Sequence, residues 1–120
     1  MSCVGEFLKL KRLEKGYTLG HVSKEVGVSI NYISELEKGI KSNPSDEIVV
    51  KLAEIYQADE EELFLAFKKV PISTKKEVEE HPTLAKALSQ IRNDKEMSHE
   101  KKEMLYGRML YWYKKLSEEE

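Results

Sequence analysis

Cysteine is almost absent from this chain of 120 residues, and long apolar runs are missing altogether. A single cysteine, Cys3, excludes a disulfide within the chain and fits a reducing compartment. No apolar run approaches the roughly 18 residues of a membrane-spanning helix, and the N-terminus lacks the apolar segment of a signal peptide. Charged residues make up 35% of the sequence and aromatic residues only 8%. We therefore expect a soluble, mostly helical, cytoplasmic protein with no membrane partner.

The residues that build metal or catalytic sites are also scarce. His21, His81 and His99 are too scattered along the sequence for a metal site, and one cysteine cannot form a zinc module. The sequence contains no glycine-rich phosphate loop, no nucleophile elbow and no pair of carboxylates with a defined cleft. We therefore expect no catalytic residue, no metal, no cofactor and no enzymatic activity.

The segment from Gly16 to Gly39, GYTLGHVSKEVGVSINYISELEKG, has the features of two short helices joined by a tight turn. Gly27 can adopt the positive φ that such a turn usually requires, and Ser23 is small enough for the helices to approach closely. Thr18 and Ser29 stand at N-cap positions, where a hydroxyl can accept from the free amides of a first turn. An inner face is supplied by Leu19, Val22, Val26, Val28, Ile33 and Leu36. This pattern is typical of a helix-turn-helix and indicates DNA binding.

The segment resembles the Xre-type (phage-repressor) helix-turn-helix family, whose pattern is roughly T-x-x-x-L-A-x-x-x-G-V-S-x-x-x-I-S-x-x-E-x-G. The matching positions are Thr18, Val22, Ser23, Gly27, Val28, Ser29, Ile33, Ser34, Glu37 and Gly39. Ser23 replaces the usual alanine, and Leu19 stands where the family commonly has a glutamine. The resemblance covers about residues 5–68. It implies an all-α fold with a five-helix, lambda-repressor-like DNA-binding domain, followed here by a C-terminal two-helix dimerisation hook.

The sequence on either side of the motif agrees with that architecture, and we assign residues 1–68 to the DNA-binding domain. A first helix is predicted over residues 5–15, where apolar residues repeat at helical spacing. Those residues are Phe7, Leu8, Leu10 and Leu13. After a loop over residues 39–44, Ser45 and Asp59 are predicted to cap a fourth and a fifth helix.

Residues 69–81 are polar and lack sustained periodicity, so they predict a linker with one turn. Residues 82–120 are predicted to form a C-terminal oligomerisation segment, in which Pro82 begins one helix and Ser98 caps a longer one. The last helix has an apolar and aromatic surface too broad for one neighbouring helix of about twelve residues to bury. The residues predicted to form a dimer interface there are Leu105, Met109, Trp112, Tyr113 and Leu116. The alternative is a tail that folds back on the DNA-binding domain.

The tail also resembles that of SinR-type Bacillus regulators, in which a two-helix hook follows an Xre-type domain. The segment concerned is SHEKKEMLYGRMLYWYKKLSEEE. It is similar in its capping serine, in the positions of its aromatic residues, and in its end, where basic residues are followed by acidic ones. Many Xre-type repressors of mobile elements have a comparable helix pair. The resemblance implies a homodimer or higher oligomer through the C-terminal helices, and a small protein antagonist that replaces one hook of the dimer.

A recognition helix presents its N-terminal residues to the major groove of DNA. Matched to the family pattern, the groove-facing positions are Ser29, Ile30, Asn31, Ser34, Glu35 and Lys38. Asn31 can pair with adenine N6 and N7, and Ile30 can contact a thymine methyl group. Glu35 is either an acceptor for cytosine N4 or a partner of Lys38 within the helix. The remaining predicted contacts, mostly to phosphate, are Thr18, His21, Tyr32, Lys41, Ser42 and Asn43. For Tyr32, packing on the adjoining loop is an equal alternative.

The charge distribution limits how strongly one copy can bind DNA. The net charge is −2, with +1 over residues 1–51, −3 over residues 52–69 and none over residues 70–120. A nearly neutral DNA-facing part implies few ion pairs with phosphate and a shallow dependence of affinity on salt. Amides at helix N-termini and neutral hydroxyls would then carry much of the backbone contact. We expect weak binding by a monomer.

These features predict a bacterial or phage transcriptional repressor that binds a short palindromic operator in double-stranded DNA as a dimer, on the nucleoid. A dimer places two recognition helices roughly 34 Å apart and raises affinity through effective concentration. The alternative is a protein-interaction module of an antitoxin or anti-repressor type, in which the C-terminal helices bind a partner protein. The polar edge of the recognition helix favours the first interpretation, because an interaction module has no need of it.

Overall fold

The computed structural model of the protein describes residues 3–118. Within that range it has eight α-helices and no β-strand, so the predicted all-α class is confirmed. None of these helices is long and apolar enough to cross a membrane. The chain divides into two compact units, one reaching to Lys75 and the other starting at Lys76. The helices are α1 (Cys3–Glu14), α2 (Leu19–Val26), α3 (Ile30–Glu37), α4 (Asp46–Tyr56), α5 (Glu60–Ala66), α6 (Ile72–Glu80), α7 (Pro82–Asn93) and α8 (His99–Glu118).

Helices α1 to α5 enclose one apolar core, as predicted for the five-helix domain. Val22 of α2, Val49 of α4 and Phe64 of α5 have no exposed surface. The full buried apolar set is Leu8, Val22, Val26, Ile33, Leu36, Val49, Leu52, Ala53, Tyr56, Leu63, Phe64 and Phe67. Removing this much apolar surface from water supplies the main favourable free energy for folding these short helices together.

The first helix contacts the core along a narrow edge. Leu8 is buried, whereas the other apolar residues of its repeat are 37–61% exposed: Phe7, Leu10 and Leu13. At Gly5 the backbone of α1 lies against the end of α3. A Cβ atom there would lie 2.6 Å from the carbonyl oxygen of Glu37 and 2.7 Å from that of Leu36. Glycine is therefore required at this position, because any side chain would push α1 away from α3.

The prediction of a linker with one turn over residues 69–81 is wrong in its local structure, because α6 occupies nine of these residues. Tertiary contacts stabilise the start of the helix. Ile72 packs against the apolar core, and Lys75 Nζ lies 2.7 Å from Asp46 Oδ2. Lys69 Nζ lies 3.0 Å from Asp46 Oδ1, and hydrogen bonds from Lys75 and Lys69 lower the pKa of Asp46. A polar sequence without periodicity can be helical when a neighbouring surface holds its first turn.

In the second unit, α7 and α8 are joined by a short connection that caps the longer helix. Pro82 occupies the first turn of α7, and Ser98 Oγ accepts from the backbone N–H of Lys101 at 3.2 Å, so both sequence predictions are confirmed. Lys102 Nζ of α8 donates to the backbone oxygen of Arg92 at the end of α7 (3.2 Å). No residue of α7 or α8 is buried. The half-buried ones include Leu84, Leu88, Ile91, Leu105 and Tyr106.

Candidate nucleic-acid interface

The turn between α2 and α3 has the geometry that its sequence predicts. Gly27 adopts the left-handed conformation, with φ 86° and ψ 32°. Its N–H and that of Val28 both donate to the backbone oxygen of Ser23, at 2.8 and 3.0 Å. The hydroxyl of buried Ser23 donates to the backbone oxygen of Gly20 (2.9 Å), so its polar atom is satisfied inside the helix pair. The turn therefore fixes α3 relative to α2 through backbone hydrogen bonds.

Both helices of the pair begin with a side-chain cap. Thr18 Oγ1 accepts from the backbone N–H of His21, and Ser29 Oγ accepts from that of Tyr32, each at 3.0 Å. Neither α2 nor α3 has an acidic residue in its first turn, whereas α4 and α5 do. The positive ends of the α2 and α3 dipoles are thus left without a neutralising carboxylate. Such helix N-termini are suited to contact phosphate.

The outer edge of α3 is open to solvent where the prediction places base contacts. Ile30 is 51% exposed, and Asn31 and Lys38 are exposed as well. Ser34 and Glu35 are half-buried. Within residues 3–118, the side chains of Asn31 and Lys38 have no hydrogen-bond or ion-pair partner. Their polar groups are therefore available to an external ligand, and the alternative pairing of Glu35 with Lys38 is absent.

Both interpretations of Tyr32, a phosphate contact and packing on the adjoining loop, stay predictions. Its ring is half-buried against the apolar core, and burial raises the pKa of its hydroxyl. His21 is exposed, and its ring lies 4.6 Å from that of Tyr17 between centroids. The contacts of Thr18 and His21 with phosphate stay predictions, because the structure contains no DNA.

The loop after α3 exposes the remaining predicted contacts. Gly39 adopts a φ of 79°, and the N–H groups of Ile40 and Lys41 donate to the backbone oxygen of Glu35 at 2.9 and 3.1 Å. This closes the C-terminus of α3 and turns the chain sharply. The loop then presents three exposed polar residues before buried Pro44: Lys41, Ser42 and Asn43.

Sequence reasoning missed the ion pair that holds the far end of α3. Arg12 Nε donates to Glu37 Oε2 at 2.8 Å, and Arg12 Nη2 donates to Glu37 Oε1 at 3.1 Å. Only 11% of the Arg12 side chain and 6% of the Glu37 side chain are exposed. The hydrogen bond that Arg12 donates to Glu37 raises the pKa of Arg12, and Arg12 Nη1 also donates to the backbone oxygen of Tyr17 (3.1 Å). No local signal links residues 25 positions apart, although Glu37 belongs to the family pattern.

In the second unit, α8 leaves the predicted interface residues uncovered. Leu105 is half-buried, whereas Met109, Trp112, Tyr113 and Leu116 are 46–65% exposed. Together with Arg108 they line a surface groove of about 460 Å³. The aromatic rings of Tyr111 and Trp112 meet edge to face, with centroids 5.6 Å apart. This is a large apolar surface for one helix to leave exposed.

Comparison with known proteins places the helix pair in a family. A helix-turn-helix family model matches residues 8–63. The HTH-type transcriptional regulator SlrR of Bacillus subtilis is 34% identical over 61 residues, which are 51% of this chain and 40% of SlrR. The HTH-type transcriptional regulator SinR of the same organism is 33% identical over 52 residues, which are 43% of this chain and 47% of SinR. The chain thus spans less than half the length of these two curated relatives.

Among solved structures, the crystal structure of SinR, the master regulator for biofilm formation, in complex with DNA is 30% identical to this chain. The match covers 51% of this chain and 97% of the SinR chain, with a TM-score of 0.47. Residues 8–63, which the helix-turn-helix family model matches, contain the capped helix pair, the Gly27 turn and the exposed edge of α3. Residues 8–63 are therefore an Xre-type helix-turn-helix domain that is homologous to part of the transcriptional regulators SinR and SlrR.

Proposed function

We propose that this protein is a non-catalytic, sequence-specific DNA-binding regulator that represses transcription by binding a short palindromic operator as a dimer. The observation that carries the proposal is the exposed edge of α3, where the side chains of Asn31 and Lys38 have no hydrogen-bond or ion-pair partner within residues 3–118. The first turns of α2 and α3 also lack acidic residues. The position of this edge in an Xre-type helix-turn-helix supports DNA as the ligand.

In this proposal the N-terminal half of α3 enters the major groove. Asn31 donates to N7 and accepts from N6 of an adenine through its amide, and Ile30 contacts a thymine methyl group. Ser29, Ser34 and Glu35 lie on the same edge and add contacts to bases or phosphate. The backbone of DNA is held by the first turn of α2 with Thr18 and His21, and by Lys38 with the loop residues Lys41, Ser42 and Asn43.

The charges of this region support a low affinity for one copy. Residues 1–51 carry a net charge of only +1, so one copy displaces few counterions from DNA. Dimerisation through α8 compensates, because the second half-site is then bound at high effective concentration. The exposed stripe of Met109, Trp112 and Leu116 supplies the apolar surface for this contact. A small protein with a similar helix could compete for the same stripe and act as an antagonist.

The decisive experiment is selection of bound sequences from a random pool of duplex DNA by the full chain. We expect an enriched palindrome whose half-sites are about one helical turn apart. A single unpaired half-site would contradict the dimer. No enrichment, together with capture of a partner by α8, would favour the alternative of a protein-interaction module.

The base contact is tested by Asn31→Ala. We expect this change to weaken binding to the selected operator by about 1–3 kcal/mol, because the amide then no longer pairs with its base. Affinity is measured by fluorescence anisotropy at fixed salt. Asn93→Ala at the end of α7 is the matched control and should bind normally. Equal affinities of the two variants would mean that Asn31 makes no base contact.

The self-association surface is tested by replacing Trp112 and Leu116 together with serine. We expect a folded monomer that binds the operator weakly, because the apolar stripe is interrupted on one side of α8. Sedimentation equilibrium gives the oligomeric state. Tyr111→Ser alters an exposed aromatic residue beside this stripe and serves as the control. A dimer that persists in the double variant would place the interface elsewhere.

A further inference from the structure

A second groove, separate from the polar edge of α3, opens in the N-terminal unit between α1 and α5. Its volume is about 470 Å³. Its lining residues belong to α1, to α5 and to the two residues before α5. They are Val4, Phe7, Lys11, Ala58, Asp59, Glu62, Leu63 and Ala66. Most of this lining is apolar, although the groove is reached directly from the surface.

Both helices that form the groove also have exposed apolar side chains. Phe7 is 37% exposed, and Leu10, one helical turn further along α1, is 61% exposed. On α5, Leu65 is 62% exposed and its neighbour Ala66 is exposed too. We call this groove, which the described helices of the first unit leave open, the furrow. Exposed apolar surface of this kind commonly marks an interaction site.

The mouth of the furrow carries negative charge. Asp59 caps α5 by accepting from the backbone N–H of Glu62 at 2.9 Å, and the Glu62 carboxylate has no cationic partner within residues 3–118. Among the described lining residues Lys11 is the cation, and its ammonium lies 3.6 Å from Glu14 and 5.7 Å from the ring centroid of Phe7. The described lining thus has two carboxylates and one ammonium. Residues 52–69 carry a net charge of −3, so the rim attracts cations.

We propose that this furrow binds a helical segment of a partner protein that presents aliphatic or aromatic anchors flanked by lysine or arginine. Apolar anchors at one face of a helix fill such a groove, and the flanking cations pair with Glu62 and Asp59. A second copy of this chain does not fit by a two-fold contact of the furrow with itself, because that contact would bring the two acidic rims together. The proposal is independent of DNA binding.

The test uses the full ¹⁵N-labelled chain and a synthetic helical peptide with leucines along one face and lysines beside them. A second peptide, with glutamate in place of every lysine, is the charge control. We expect the lysine peptide to shift the amide resonances of Phe7, Glu62 and Ala66, and the glutamate peptide to leave them in place. No shift at millimolar lysine peptide, or equal binding of both peptides, would overturn the proposal.

Two variants separate the acidic rim of the furrow from its apolar wall. Glu62→Lys should weaken binding of the lysine peptide by about tenfold through charge repulsion. Ala66→Gln should weaken it comparably, because the longer side chain fills part of the groove without changing charge. Glu79→Lys makes the same charge change at an exposed position of α6 and should leave affinity unchanged. Equal losses in Glu62→Lys and Glu79→Lys would show unspecific attraction and reject the furrow. The amide spectrum outside α1 and α5 reports that each variant is folded.

Discussion

The two units of this chain keep their helices together in different ways. The unit that reaches to Lys75 buries a dozen apolar side chains, from Leu8 in α1 to Phe67 after α5. In α7 and α8, by contrast, no residue is buried, and the largest apolar side chains of α8 are exposed. The first unit can thus fold on its own core. The second has its apolar surface still to bury, which suits a segment that works by association.

The same contrast holds for their polar side-chain pairs. In the first unit, Arg12 and Glu37 form a bidentate pair with little solvent contact. In the second, His81 Nε2 lies 2.8 Å from Glu77 Oε1, but both side chains are more than half exposed. Removing one partner of a buried ion pair lowers the stability of the fold strongly, whereas an exposed pair contributes little to that stability. Three perturbations test how far these differences extend.

The largest effect is expected from removing one aromatic side chain in each unit. Phe64→Ala should lower the free energy of unfolding by about 4 kcal/mol, because Phe64 has no exposed surface and a cavity would remain. Trp112→Ala should cost less than about 0.5 kcal/mol in the monomer, because Trp112 is 61% exposed. Urea unfolding followed by circular dichroism measures both. Similar costs for the two variants would mean that α8 is covered within one chain.

A somewhat smaller loss of stability is expected from breaking each of these two side-chain pairs. Glu37→Ala leaves the guanidinium of Arg12 nearly buried without its carboxylate and should cost about 3 kcal/mol. Glu77→Ala, the equivalent change in the exposed pair, should stay below about 0.5 kcal/mol. Thermal melting at neutral pH measures the two. If Glu37→Ala melted like the parent chain, the pair would have no part in holding α3.

The smallest of the three effects is a change of the unfolding free energy with pH, which arises from one residue of the first unit. Burial, helped by the negative charge of Glu37, raises the pKa of Tyr56 to about 12, against about 10 in an unfolded chain. The folded state thus keeps this proton up to a higher pH than the unfolded chain does. The stabilisation of the folded state by the protonated Tyr56 hydroxyl is therefore complete below about pH 10 and is lost as the pH rises towards 12. The loss should be roughly 2 kcal/mol.

Tyr56→Phe is the control for this titration, because phenylalanine has no proton to lose. The difference in unfolding free energy between the parent and Tyr56→Phe should change between about pH 10 and 12 and be constant below that range. Denaturant unfolding at a series of alkaline pH values measures it. A flat difference across the whole range would contradict the interpretation that the Tyr56 hydroxyl stays protonated inside the fold.

Features determined by neighbouring residues were predictable from the sequence. The caps at Thr18, Ser29, Ser45, Asp59 and Ser98 all form as predicted, since a cap depends on residues two or three positions away. The turn at Gly27 was predictable for the same reason. The roles of the exposed residues of α3 in DNA binding stay predictions, because they depend on a ligand outside the chain.

Features that depend on distant residues were not predictable. The pairing of Arg12 with Glu37 joins α1 to the end of α3, and no spacing rule connects them. α6 was predicted as a linker because its polar sequence has no apolar stripe, yet Asp46 and the core stabilise its first turn. The partial burial of Tyr32 against the core was not predicted either. In each case the deciding partner lies far away in the sequence.

The contact at Gly5 has a consequence for how this domain can change over evolution. Gly5 meets the backbone carbonyls of Leu36 and Glu37, and a carbonyl is the same whichever residue carries it. The contact between α1 and α3 at this point therefore does not depend on which side chains lie on the exposed side of α3. In the proposed function Ile30, Asn31 and Ser34 contact the operator, and exchanging any of them would leave this joint intact. Under that proposal, DNA specificity can change by single substitutions without disturbing the contact between α1 and α3.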